Sequence, residues 1–234
     1  MRYLCMNELF SKFFTTLRGE SFSVDPSIPF SYLLSLALER GCDYLRGLIR
    51  FKRLNRWIFV GKHARIKCIK KIKCGKFLKI SSETYLDGLS KNGVVLGNNF
   101  SLGRGSSIEC TGSLNKLGIG FTAGNNVGIG SFSFLGCAGG ITIGDDTITG
   151  NYVSMHSENH NYKDGSRPIR LQGVNSKGIY IGKNCWIGSK VTILDGAVVG
   201  DNSIIAAGAV VIDGNYEGSS IYGGIPARKI GVIE

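Results

Sequence analysis

From residue 181 to 216 an aliphatic side chain returns at every sixth position, at 181, 187, 193, 199, 205 and 211, in the hexads IGKNCW, IGSKVT, ILDGAV, VGDNSI, IAAGAV and VIDGNY. A fixed short period specifies a solenoid, because each unit can bury its apolar face only against its neighbours. Three hexads close one triangular coil, so the pattern predicts a parallel β-helix whose opening aliphatics stack inward, with a mostly small fifth residue letting the corners close. The same period is legible upstream with interruptions, at Val60, Ile66, Ile72 and Leu78, at Leu96, Leu102 and Ile108, and at Leu117, Ala123, Ile129, Leu135 and Ile141. A two-residue shift resets it to Ile143, Thr149 and Met155. Corners need positive φ, which glycine reaches without steric cost, and this accounts for 34 Gly in 234 residues.

Residues 1–56 do not follow the period. Leu9, Phe10, Phe13, Phe14 and Leu17 predict a short helix closed by Gly19. Leu34, Leu38, Leu45, Leu48 and Ile49 predict a second helix over 31–53, with Arg46, Arg50 and Arg53 on another face and with Gly41 and Gly47 weakening it. The chain thus divides into a helical cap segment, 1–56, and a β-helix, 57–234. Two readings of the helices stay open: packing on the exposed end of the solenoid, or lying in the interface of an anionic membrane. Neither helix has the run of about 20 apolar residues that crosses a bilayer, and no secretory signal pattern is present. Between 155 and 179 the register vanishes, and the polar stretch 156–178 is expected to be a functional loop.

Composition changes this picture little, since 43% hydrophobic and 19% charged residues are ordinary for a globular chain. Charge changes it more. Residues 40–79 hold 14 of the 28 basic residues against one acid, Asp43, so this segment carries +13 and the remainder −2. Such a field calls for an anionic partner, either a membrane surface or an acidic polysaccharide. Nucleic acid is not expected, because no recognition helix, zinc module or stacking platform accompanies the charge. Seven cysteines without a CxxC pair fit free thiols in a reducing cytoplasm.

The repeat resembles that of the hexapeptide-repeat acyltransferases. The resemblance covers roughly residues 60–230 and implies an all-β, left-handed parallel β-helix, a homotrimer and acetyl-CoA as acyl donor. Within that family the N-terminal helical segment, the NHNY loop and the string VNSKGIYIGKNCWIG look most like bacterial enzymes that O-acetylate sugars of capsule, O-antigen or exopolysaccharide. The context Asn159-His160, followed by Asp164-Gly165, resembles the family's general base and its surroundings, which implies His160 as base, His156 as the second candidate, and Asn159, Tyr162 and Asp164 toward the acceptor. A sugar hydroxyl is too weak an acid to attack a thioester unaided, and a neutral imidazole suits its deprotonation near neutral pH. Trp186 and Ser189 resemble the element along which the pantetheine arm lies, with Ala207 one coil later. In the closing GIPAR string, Arg228 and the following Lys229 are candidates for the cofactor phosphates. Where many relatives have Thr-Lys, this chain has Ile212-Asp213, so nucleotide contacts are expected to differ.

A zinc site of the kind found in β-helix carbonic anhydrases is not expected. His63 precedes the histidine pair by about five coils, roughly 25 Å along the axis, which one ion cannot span. The other open readings are an N-acetyltransferase of a nucleotide-linked amino sugar, a serine or xenobiotic acetyltransferase, and a noncatalytic β-helix scaffold that binds a polyanion.

Overall fold

The computed structural model describes residues 11–12 and 23–233; the helix expected around residues 9–17 lies almost wholly outside them. From residue 58 onward the chain winds as a three-faced prism, with parallel sheets of nine, seven and seven strands and one antiparallel strand, Arg228–Val232, closing the first sheet. Face I begins with Ile58–Val60, face II with Arg65–Lys67 and face III with Ile72–Cys74.

Strands of two or three residues suffice because every coil pairs with the one above and below. The inward side chains form unbroken columns. On face I they are Val60, Ile80, Leu102, Ile129, Thr149, Ile187 and Ile205. On face II they are Ile66, Leu86, Ile108, Leu135, Met155, Ile193 and Val211. Nearly all are fully buried and belong to one continuous core. The corners carry positive φ at non-glycine residues including His63, Asn99, Asn126, Tyr152 and Asn184.

Three expectations are corrected. Leu117 is exposed rather than in the column, because it lies in an excursion tied off where Gly118 N–H donates to Thr111 Oγ1 (3.1 Å) and Thr111 Oγ1 donates to the Leu89 carbonyl. Such excursions lengthen the early coils, so His63 lies four coils below His156 rather than five, about 19 Å along the axis. Most instructive is helix α1, Phe30–Phe51, whose buried residues are Leu33, Asp43, Gly47 and Phe51, while Leu34, Leu38, Leu45 and Ile49 face outward.

The reason lies in what α1 covers. Its neighbour is the first strand of face I, an edge of unpaired backbone that leucines cannot satisfy. Arg46 Nε donates to the Val60 carbonyl at 2.8 Å, and Asp43 bridges Arg40 and Arg46 beneath it. Gly47 sits where a Cβ would come within 1.9 Å of the Ile58 carbonyl oxygen, so only glycine permits this approach. Lys52 ends the helix in the left-handed region, its N–H donating to the Leu48 carbonyl.

The cysteines are unpaired among the described residues, with Cys74, Cys110, Cys137 and Cys185 buried. Burial pushes the Cys137 thiol well above its ordinary range.

Candidate active site

The loop leaves the prism after the face II strand Ser154–His156 and returns at the face III strand Ile179–Ile181. It is more ordered than its polar sequence suggests. Asn159 and His160 pair in antiparallel fashion with Asn175 and Val174, and a 3-10 turn spans Ile169–Leu171. His160 is exposed, its backbone held by Val174, and among the described residues no side chain hydrogen-bonds its ring. His156 is committed differently, with Ser154 Oγ at 2.7 Å from Nε2 and the Phe134 ring at 5.4 Å.

Both feet of this loop are pinned. Ser157, fully buried, donates to the Gly136 carbonyl and accepts from Gly139 N–H. Asp195, only 3% exposed, accepts from Lys177 N–H (2.8 Å), Gly178 N–H (2.7 Å) and Asn159 Nδ2 (3.2 Å). One buried carboxylate thus ties the residue beside His160 to the returning strand, and hydrogen bonds to a charged acceptor are the strong ones. Sequence reasoning passed over Asp195. In ILDGAV it looks like an ordinary corner residue, and the one available signal is that the inserted loop returns just before the coil containing it.

Asp164 and Tyr162 lie further out. Asp164 accepts from Ser166 N–H and Oγ, which hold its carboxyl below the usual range, so it shapes the loop tip. Tyr162 is largely exposed.

Three of the donor candidates, Trp186, Ser189 and Ala207, lie at or beside the corner between faces I and II, and Arg228 and Lys229 lie apart from them. Trp186 is 54% exposed on face I, level with Ile148 below and Ile204 above. Ser189 lies directly beneath Ala207, its carbonyl accepting from Gly208 N–H at 2.9 Å. Two coils below Ser189 the same corner carries a side-chain cap, where Ser131 N–H donates to Asn151 Oδ1 at 2.9 Å. One coil above Ser189 the corresponding residue is Ala207, which has no acceptor. The N–H groups of Ser189 and Ala207 have no partner among the described residues, and they lie one coil apart, about 4.8 Å. Such N–H groups beside an exposed indole fit an arm bearing amide carbonyls, which pantetheine supplies. Arg228 and Lys229 stand at a shallow recess beside Asp213 and Asn215, with Lys229 Nζ 3.3 Å from Glu217. Lys177 reaches Asp213, the position where the sequence departs from the resemblance. Among the described residues no group of three His, Cys, Asp or Glu could hold a metal ion.

Residues 178–213 match the family described as bacterial transferase hexapeptide (six repeats). That stretch carries the hexapeptide repeat of this transferase family. Over 144 residues it is 27% identical to a lipopolysaccharide biosynthesis O-acetyl transferase of Escherichia coli, WbbJ, covering 58% of this chain and 70% of that protein. It is 35% identical to the galactoside O-acetyltransferase of Escherichia coli over 38% of this chain and 43% of that one, so it spans under half of that relative. Among solved structures it resembles AntD, an N-acyltransferase from Bacillus cereus crystallised as a point mutant in complex with dTDP and coenzyme A. The TM-score is 0.57 at 19% identity, covering 74% of this chain and 86% of that one. That likeness concerns the fold, a left-handed parallel β-helix.

Proposed function

We propose that this protein is an acetyl-CoA-dependent O-acetyltransferase acting on a sugar hydroxyl of a surface polysaccharide or its precursor. The observation that carries the reading is the pairing of an exposed imidazole on a doubly pinned loop with a corner whose N–H groups stand open. Acetyl-CoA supplies an activated acyl group. His160, as general base, takes the proton of the acceptor hydroxyl while that oxygen bonds to the thioester carbonyl, and returns the proton to the departing thiolate as the carbon–sulfur bond breaks. Ser189 and Ala207 hold the pantetheine amides through their N–H groups, Trp186 lies along the arm, and Arg228 and Lys229 meet the phosphates. Asn159, Tyr162 and Asp164 belong to the acceptor side, with Asn159 also fixing the loop.

The same geometry supports a homotrimer. The open corner begins the face II strand and the loop ends it, so Asn151 and Ser157 stand up to about 20 Å apart along one chain. In this proposal a neighbouring subunit's loop brings the base to the donor, and closed cyclic symmetry makes three such sites equivalent. We further place the enzyme in the cytoplasm, on an acidic glycan or its lipid-linked precursor, with peripheral contact to an anionic membrane.

Labelled acetyl-CoA offered with purified glycans tests the reaction. Replacing His160 with Ala should lower turnover at least about 100-fold and leave acetyl-CoA affinity unchanged. Wild-type turnover in that variant, or a comparable loss only in His156→Ala, would sink the assignment. Co-expressing His160→Ala with a donor-corner variant should restore part of the activity if the site joins two subunits, and light scattering should give three times 25.2 kDa.

A further inference from the structure

We infer that the N-terminal end of the prism docks on an anionic lipid bilayer, with the outer face of α1 lying in the bilayer interface. This deepens the membrane contact proposed above and stands independently of the reaction.

Leu34, Leu38, Leu45 and Ile49 are 46%, 64%, 59% and 73% exposed. Their spacing of four, seven and four residues places them on one stripe of the helix. Beyond the helix end, Leu54 is 84% exposed. The first coil, on which α1 packs, adds exposed cations on successive elements: Lys62 at one corner, Arg65 and Lys67 on face II, Lys70 at the next corner, and Lys73 on face III. The opposing charge of Asp43 is buried between Arg40 and Arg46. Glu39 is the one exposed acid of α1.

An apolar stripe beside a basic coil selects among occupants. A second copy docking through this end would bring two strongly positive coils together, which is repulsive. An acidic polysaccharide would answer the cations and leave the leucines in water. An anionic bilayer answers both, taking the stripe into the headgroup boundary while its surface potential attracts the cations. The helix lies rather than spans. Among the described residues no helix is long and apolar enough to cross a membrane, and α1 carries Glu39, Arg40, Arg46 and Arg50.

Sedimentation of the full chain with phosphatidylcholine vesicles, with and without phosphatidylglycerol, tests this. The wild type should bind only when phosphatidylglycerol is present. Leu38→Glu with Ile49→Glu, at exposed positions where the fold is indifferent, should weaken binding at least about tenfold. Replacing Lys70 and Lys73 with Gln should weaken it about fivefold per charge. Turnover on a short soluble acceptor should not move in either variant, so a wrong reaction assignment would show as an inactive wild type that still binds vesicles. Three results would overturn the proposal: no wild-type binding to anionic vesicles at low salt, undiminished binding in the Leu38/Ile49 variant, or a fall in that variant's oligomeric mass, which would make a second copy the occupant.

Discussion

At the corner joining face III to face I, backbone N–H groups meet side-chain oxygens from the coil above: Lys76 donates to Asn98, Asn98 to Asn125, Asn125 to Asp145, and Lys183 to Asp201. At the corner joining face I to face II a side-chain cap of this kind occurs once among the described residues, from Ser131 to Asn151, and the N–H groups of Ser189 and Ala207 have no partner. Both corners have the same backbone and the same left-handed residue, as at Asn184 and Lys190. The difference is one side chain per coil. A capped corner is satisfied by the protein itself, whereas an uncapped one offers its donor to something else.

This contrast can be broken most severely at the loop proposed to meet the open corner. Asp195→Ala removes the acceptor of three donors at once. It should cost about 3 kcal/mol or more, because buried donors are left without partners, and turnover should fall as the loop carrying His160 loosens. A melting curve and a rate unchanged from wild type would mean the loop is held elsewhere. A smaller effect should come from closing the open corner. Ala207→Asn introduces the residue type that already caps Ser131 two coils lower, so the Michaelis constant for acetyl-CoA should rise about tenfold with the loss of a hydrogen bond, while thermal stability holds or improves. An unchanged constant would show that the Ser189 N–H does not serve the donor. The smallest effect belongs to the reverse experiment. Asn125→Ala uncaps the closed corner and should lower stability by about 1 kcal/mol, with kinetics untouched.

The columns were legible in the sequence because burial against neighbouring coils enforces the period at every turn. Leu117 read as a column residue because one aliphatic at the right spacing cannot report that the backbone has left the prism. The facing of the α1 leucines stayed open for a related reason, since helical spacing identifies a stripe without saying what the opposite face covers. Here that face meets an edge of bare carbonyls and needs Arg46 and Gly47. His160 stood out as a histidine in a long polar break. Asp195 did not, because its burial exists only once Lys177 and Gly178 have folded back over it. The open N–H groups were equally hidden, since Ala207 satisfies the repeat's demand for a small residue whether or not a ligand is meant to lie there.

Thr149 pairs with Ile187 across the whole inserted loop, just as Ile187 pairs with Ile205 across a plain coil. The core therefore does not register how much chain lies between one coil and the next. What the loop contains can be exchanged, lengthened or replaced by another of different chemistry, provided its two feet still meet Ser157 and Asp195. On the proposed assignment, grafting a single segment that keeps His160 would rewrite the acceptor range while the donor corner stays fixed.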